Sequence, residues 1–336
     1  MRRHLVNTGR PDAMLGAIIL LQSLVLVIAG PATSPEYLPL RVAEAEGHFA
    51  REGLSVDIRT TRAEPGAAEA LVQGQADLVA TSVDAILRFG SRSVNQGPRL
   101  VFGLTAAPPV ALLVPASQAQ IVKSLNDLPG TRVGLASPGA PEHAWFGWLL
   151  ARTGLSVAEM WVVSHGHRGL VAAMESGDVH SGLVHEPFAS RLIAEGQARV
   201  LVDLRTPGAV AQALGGPTVN AAVFARADRR PRDRDLGAFA RAVLAAEQRI
   251  ATARADELAA RLPKRVVGPP DDFAARLEAT RRVYLADGLI TADQLRDTLA
   301  LIRAHQPLPV TSRVPSPEEM LHIEPLRRVL SPPAGR

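Results

Sequence analysis

Three short segments of this chain place hydroxyl-bearing or small residues where a predicted strand gives way to a predicted helix. They are residues 64–67, 81–84 and 137–141. The first turn of a helix leaves backbone N–H groups unpaired and carries the positive end of the helix dipole, so each segment is suited to an anionic group. The candidate ligand-binding residues in these segments are Pro65, Gly66, Thr81, Ser82, Asp84, Ser137, Gly139 and Ala140. In the alternative interpretation, the hydroxyls of Thr81, Ser82 and Ser137 only cap their helices.

Four further residues are candidates for ligand contact. Tyr37 precedes a predicted helix and either stacks on a ligand or packs in the core. Glu186 ends a predicted strand, where a carboxylate suits an ammonium or amide ligand and opposes an anion, unless it forms a structural salt bridge. His167 and His185 either respond to pH or bond a ligand, or else lie on the surface or pack within the fold. Although His165-Gly166-His167 has a chelating spacing, no acidic residue adjoins it, and we predict neither a metal nor a cofactor.

Composition and motifs argue against several other kinds of chemistry. The 336 residues carry a formal net charge of +4 and no cysteine, which excludes disulfides, cysteine-ligated zinc and cysteine nucleophiles. No basic stripe with interleaved aromatic residues is present, so we predict no nucleic-acid binding. The glycine-rich phosphate loops, the Gly-x-Ser-x-Gly elbow and the His-Glu-x-x-His zinc motif are all missing. We therefore predict a binding protein rather than an enzyme.

The elements that must position these residues follow an α/β pattern. From Tyr37 onward, short apolar runs alternate with helical patterns, and the alternation restarts after residues 110–114, which predicts two α/β units. Proline and glycine gather in residues 106–114 and 206–224, where the chain would cross between the units. Two crossings predict a hinge. From residue 235 the pattern is almost entirely helical, and a proline-rich tail begins at residue 306.

The N-terminal segment admits three interpretations. Arg2, Arg3 and Arg10 precede an apolar run over residues 14–29, and small residues follow, which is the layout of a secretory signal. The run is short for a membrane span of about 20 residues, although an uncleaved anchor is an alternative. In the third interpretation, residues 24–28 form the first strand of the folded domain. Export predicts a location in the periplasm or cell envelope.

Ordered sequence motifs resemble a known family. The residues that carry the resemblance are Tyr37-Leu38-Pro39-Leu40-Arg41-Val42-Ala43, Glu46-Gly47-His48-Phe49, Glu52-Gly53-Leu54, Gly74-Gln75-Ala76-Asp77-Leu78, Lys123-Ser124-Leu125-Asn126-Asp127-Leu128-Pro129-Gly130-Thr131-Arg132-Val133-Gly134 and Ser176-Gly177-Asp178-Val179, followed by His185-Glu186-Pro187-Phe188. Together they resemble the sulfonate/taurine/nitrate-binding and thiamine-precursor-binding branch of the periplasmic binding proteins, over about residues 37–305. The sequence departs from that branch at His180, usually aspartate, and at His185, usually aromatic.

The resemblance implies a two-lobed type II periplasmic-binding-protein fold with a hinge of two crossover segments. We expect residues 1–32 to be a signal or anchor, residues 33–106 with 218–305 to form one lobe, residues 107–217 the other, and residues 306–336 a tail. The implied function is capture of a small anionic or polar ligand and its delivery to the permease of an ABC importer. Contact with the membrane would come only through the N-terminal segment or the permease. A tethered ligand sensor and a thiamine-precursor enzyme are the alternatives; the enzyme branch carries a cysteine-rich motif that this chain lacks.

Overall fold

Two five-stranded sheets form the framework of the protein. A computed structural model describes residues 23–89, 96–136, 142–305, 308 and 315–331. In spatial order, the first sheet contains β2 (Val56–Thr60), β1 (Leu24–Ile28), β3 (Leu78–Ser82), β10 (Ala221–Arg226) and β4 (Pro98–Gly103). The second contains β7 (Trp161–Ser164), β6 (Arg132–Leu135), β8 (Ser181–His185), β5 (Val110–Pro115) and β9 (Ala198–Asp203).

Each sheet is completed by one strand that runs against its neighbours. β10 pairs antiparallel with both β3 and β4, although it follows them by more than a hundred residues. In the second sheet, β5 pairs antiparallel with both β8 and β9, which follow it in the chain. The chain therefore leaves the first sheet, builds the second and returns. Together with the covering helices, this arrangement confirms the predicted two-lobed α/β fold.

The helices that cover the sheets have the following bounds. They are α1 (Leu38–Ala45), α2 (His48–Arg51), α3 (Glu64–Val72), α4 (Val83–Phe89), α5 (Glu142–Ala151), α6 (Gly166–Ser176), α7 (Phe188–Ala194), α8 (Pro207–Leu214), α9 (Asp233–Thr252), α10 (Ala255–Arg261), α11 (Lys264–Val267), α12 (Pro270–Thr280), α13 (Ala292–His305), α14 (Pro317–Met320) and α15 (Glu324–Leu330). The sequence predicts a helix over residues 38–48 that ends near Gly47. In the structure α1 ends at Ala45, and Gly47, with a left-handed φ of 72°, separates it from α2.

The apolar run near the N-terminus ends in a strand inside the first sheet. Leu24–Ile28 forms β1, which pairs in parallel with β2 on one side and with β3 on the other. Leu26 and Ile28 are fully buried, and Val27 is nearly so. The strand interpretation of these residues is therefore the one that the structure shows. Cleavage near Ala32 would remove β1 from the middle of the sheet.

The two crossings between the sheets lie side by side and are hydrogen-bonded to each other. The first joins β4 to β5, and the second joins α8 to β10. The Thr218 hydroxyl donates to the Ala106 carbonyl at 2.9 Å, and the Asn220 backbone N–H donates to the Thr105 carbonyl at 2.7 Å. The predicted second crossing, residues 206–224, is too long because α8 and the start of β10 occupy most of it.

The C-terminal helices contact both halves of the molecule. α9 packs against α1 and α2, and α15 packs against α9. Both helices therefore belong to the half of the molecule that contains the first sheet. α13 begins at the second crossing, where the Gln294 amide donates to the Thr218 carbonyl at 2.7 Å. The far end of α13 packs against α5, where the His305 ring meets Trp148 edge-on at 5.9 Å. This contact between the C-terminal helices and the second half was not predicted. Within the described residues, no helix is long and apolar enough to cross a membrane.

The position of β1 predicts the outcome of two N-terminal truncations. Removing residues 2–32 should abolish cooperative folding, because it deletes the strand between β2 and β3 together with buried Leu26, Val27 and Ile28. Burial of each such side chain is worth about 1.5–3 kcal/mol, against a total stability of about 5–15 kcal/mol. Removing residues 2–22 should leave a cooperative thermal transition, measured by circular dichroism. A normal transition in the longer deletion would contradict the assigned role of β1.

Candidate ligand-binding cleft

A cleft of about 670 Å³ lies between the two sheets. Its walls come from loops and helix starts at the carboxyl ends of strands, which is where ligands bind in open α/β sheets. The first half contributes residues after β1, β2 and β3, and the second contributes residues after β8 and on α5 and α6. Asn220 of the second crossing and the start of α12 complete the lining. The cleft is thus built by both halves of the molecule.

Charged residues of both signs occur in the described part of the lining, among proline, alanine and aromatic residues. Six carboxylates are present: Glu36, Glu64, Asp84, Glu142, Glu186 and Asp272. Four arginines accompany them: Arg62, Arg88, Arg168 and Arg276. Two aromatic side chains also line the cleft, Phe89 from α4 and Phe188 from α7. The cleft therefore combines an excess of acidic groups with apolar ring surface on each half.

Glu64 organises the first wall. Its Oε1 accepts a hydrogen bond from the Tyr37 hydroxyl at 2.7 Å, and its Oε2 accepts from the Thr81 hydroxyl at 2.5 Å and the Ser82 backbone N–H at 2.6 Å. Burial raises the pKa of the Glu64 carboxyl group, while these donors favour its charged form. Tyr37, Thr81 and Ser82, predicted as ligand contacts, here hold Glu64, and the wall itself is formed by Glu64 and Pro65.

Gly66 lies next to this wall but does not line the cleft. A Cβ atom at Gly66 would lie 3.1 Å from the Thr61 Cβ, so the glycine allows α3 to approach the end of β2 closely. The other backbone segment predicted to bind an anion contains Ser137, Gly139 and Ala140, which lie outside the described residues.

Asp84 enters the cleft from the first turn of α4. Ser82 caps this helix, since its hydroxyl accepts the Ala85 backbone N–H at 3.1 Å. The Asp84 Oδ2 atom lies 3.3 Å from the Arg88 guanidinium. Asp84 is only 5% exposed, and its buried Oδ1 atom has no hydrogen-bond partner among the described residues. Burial raises the pKa of this carboxyl group, and Arg88 partly offsets the rise.

An ion pair between Glu142 and His185 forms the second wall. The His185 Nε2 atom lies 3.1 Å from the Glu142 Oε1 atom, and Glu142 is almost fully buried. Burial alone would lower the pKa of His185, but the Glu142 carboxylate raises it by more, so the net shift is upward. The pKa of Glu142 is lowered, because His185 outweighs the opposing effect of burial. The imidazolium and the carboxylate stabilise each other.

His167 lies beside this pair, and its pKa is shifted in the opposite direction from that of His185. Its ring meets the His185 ring edge-on at 4.6 Å. Partial burial, followed by repulsion from His185, lowers the pKa of His167 to about 4. His167 is therefore neutral at neutral pH, whereas the pKa of His185 is shifted in the opposite direction, towards the charged form. Among the described residues, no group of three or more histidine, aspartate or glutamate side chains is arranged to hold a metal ion.

Glu186 is held within the protein. Its Oε1 atom accepts from the Arg205 guanidinium at 3.0 Å and from the Ser190 hydroxyl at 2.8 Å, and its Oε2 atom accepts from the Ser190 backbone N–H at 3.1 Å. Of the two roles predicted for Glu186, the structure thus shows the structural salt bridge. The candidate site residues did not include Glu142, and Glu64 was covered only as part of the segment 64–67. Both glutamates are the first residue of a helix next to proline in the sequence, which was the available signal.

The sequence and the fold of this chain are similar to those of known proteins. Residues 34–212, more than half of the chain, match the model of the NMT1/THI5-like family. The chain belongs to this family. No curated protein shows significant similarity to it. Sulfonate-binding and nitrate-binding periplasmic proteins are among the solved structures that share the fold of this NMT1/THI5-like chain, and the predicted family resemblance is confirmed.

Three solved structures illustrate the range of the fold. A protein of Bordetella bronchiseptica RB50 has a TM-score of 0.70 and 26% identity, covering 91% of this chain and 96% of its own. The periplasmic sulfonate-binding protein SsuA of a putative sulfonate ABC transporter from Methylobacillus flagellatus KT has a TM-score of 0.69 and 18% identity, covering 92% and 94%. A desulfurization enzyme has a TM-score of 0.59 and 15% identity, covering 91% and 98%. The fold thus occurs in binding proteins and in an enzyme.

The ion pair predicts how cleft substitutions respond to pH. The folded pKa of His185 lies above its ordinary value of 6.5, so its stabilisation is fully present below pH 6.5 and is lost as pH rises through the raised pKa. His185→Gln should therefore lower the free energy of unfolding most near pH 6 and less near pH 9. The loss near pH 6 should be about 3–5 kcal/mol, because Glu142 would stay buried without a partner.

His167→Gln provides a control of opposite sign. The pKa of His167 is lowered, so the folded protein resists its protonation and loses stability as pH falls below 6.5 towards about 4. The variant should therefore gain stability relative to the natural protein as pH falls through this window. Urea unfolding between about pH 4.5 and 9 measures both differences. Parallel pH profiles for the two variants would contradict the assigned charge states.

Proposed function

We propose that this protein is the substrate-binding component of an ABC importer, which captures a small polar organic ligand between two lobes and delivers it to a permease. The observation that carries the proposal is a cleft whose charged walls come from both sheets, at the carboxyl ends of their strands. Membership of the NMT1/THI5-like family and the shared fold of sulfonate- and nitrate-binding periplasmic proteins support it.

The proposed lobes follow the two sheets. The first comprises residues 33–106 and 218–305 together with β1, and the second comprises residues 107–217. The described part of the tail, residues 315–331, would belong to the first lobe, because α14 packs on β4 and α15 packs on α9. The paired crossings would form the hinge. Because α13 contacts α5 beside this hinge, closure would have to preserve that contact or slide along it.

Ligand binding would favour the closed arrangement. A ligand that contacts both walls binds the closed state more tightly than the open one, and shifts the population only by that difference in affinity. A change from 1:99 to 99:1 needs about 5.5 kcal/mol. Charge-assisted hydrogen bonds of about 1.5–3 kcal/mol each, together with apolar contact to Phe89 and Phe188, would be sufficient.

The proposed location is the periplasm or cell envelope, and the position of β1 constrains how export would occur. A cleaved signal would have to end before Ser23, because the first sheet uses Leu24–Ile28. Sequencing the N-terminus of the mature protein tests this expectation. A mature protein that begins near residue 33 would lack β1 and would contradict it.

A direct test uses the protein purified from its own host. We expect native mass spectrometry to detect a bound small molecule that is lost on unfolding. Small-angle X-ray scattering of the emptied protein should then show a smaller radius of gyration when that molecule is restored at saturation. Glu142→Gln should weaken binding, whereas Glu175→Gln, an exposed glutamate paired with Arg191, should not. Chemical conversion of the molecule by the protein would instead favour an enzyme.

A further inference from the structure

The Asp84 carboxylate is a buried group of the cleft that has one oxygen without a hydrogen-bond partner among the described residues. Glu64 accepts three hydrogen bonds from the protein, and Glu186 is held by Arg205 and Ser190. The Asp84 Oδ1 atom is buried and lacks a donor, while its Oδ2 atom contacts Arg88. Buried acceptors are almost always paired. An unpaired acceptor at a cleft can therefore accept a hydrogen bond from a donor that arrives with a ligand.

The cleft wall opposite Asp84 also carries a carboxylate, that of Glu142. Asp84 belongs to the first half of the molecule, and Glu142 belongs to the second, and both line the cleft. Burial is the main cause that raises the pKa of Asp84, and the charge of Glu142 raises it further. The two carboxyl groups therefore repel each other across the cleft. His185 pairs with Glu142, and Arg88 pairs with Asp84 through Oδ2, whereas the Oδ1 atom of Asp84 has no hydrogen-bond donor among the described residues.

We propose that the cleft binds a nitrogen compound that donates N–H hydrogen bonds, of the amidine, guanidine or amine class, and that its donor lies between Asp84 and the Glu142–His185 pair. This inference rests on the proposed function and names its ligand class. A sulfonate or nitrate group at that position would add a negative charge beside two carboxylates and would leave Oδ1 unpaired. The flat or apolar remainder of the ligand would lie against Phe89 and Phe188, which line opposite halves of the cleft.

Two probes with the same ring and opposite charge test this proposal. Benzamidine should bind to the full chain in isothermal titration and raise its Tm, whereas benzenesulfonate should do neither. Asp84→Asn should weaken benzamidine binding at least about tenfold, since it removes a charged acceptor. Asp57→Asn, which alters an exposed aspartate of β2 paired with Arg59, should leave the affinity unchanged. The Tm of empty Asp84→Asn reports whether the variant folds, because the substitution removes the ion pair with Arg88 as well as one of two facing charges.

The outcomes separate this inference from the function on which it rests. Absence of benzamidine binding, tighter binding of benzenesulfonate, or full benzamidine affinity in Asp84→Asn would each overturn the ligand class. Should Asp84→Asn fail to fold, Glu142→Gln on the opposite wall replaces it, with the same expected loss of benzamidine affinity. The proposed function is judged separately, by the molecule that co-purifies from the host and by the fall in radius of gyration. A co-purified sulfonate would support that function while overturning the donor class.

Discussion

Hydrogen bonding between the two crossings is the constraint on which the cleft depends. β10 can complete the first sheet only if the chain returns beside the segment by which it left. Thr105, Thr218 and Asn220 join these two segments and are all nearly inaccessible to solvent. Buried polar groups of this kind favour one arrangement, because a displaced segment would leave donors and acceptors unpaired. The carboxyl ends of strands in both sheets consequently meet at one cleft.

The two walls of that cleft are built on different electrostatic principles. Around Glu64, neutral donors from Tyr37, Thr81 and Ser82 surround a carboxylate, and the network is complete without a ligand. On the second wall, His185 carries the charge that Glu142 requires, and His167 stays neutral beside it. Preformed networks of this type reduce the cost of ordering side chains on binding. Asp84, by contrast, keeps a buried oxygen that accepts no hydrogen bond from the described residues.

The sequence was sufficient to predict the framework because its signals are local. Alternating apolar runs and glycine stops give the strands and helices, and the ordered motifs after Tyr37 give the family. The charges of the site were harder to predict. Helix N-termini at residues 64–67 and 81–84 suggested an anion, yet each such dipole contributes only about 0.3–1 kcal/mol, whereas two unit charges in contact near a protein surface interact by about 4 kcal/mol. Which carboxylates face one another depends on tertiary packing. The sequence therefore did not point to Glu142, and it included Glu64 only as part of the segment 64–67.

The contact between α5 and α13 also gives the protein an intrinsic optical reporter. Of its three tryptophans, Trp145 is buried and Trp161 is 72% exposed on the edge strand β7. Trp148 differs from both, because its indole N–H donates to the Leu214 carbonyl at the end of α8, just before the second crossing, and His305 packs against its ring. A change in the angle between the sheets would alter the polarity around this indole, so the emission spectrum of Trp148 would register hinge movement without an added label.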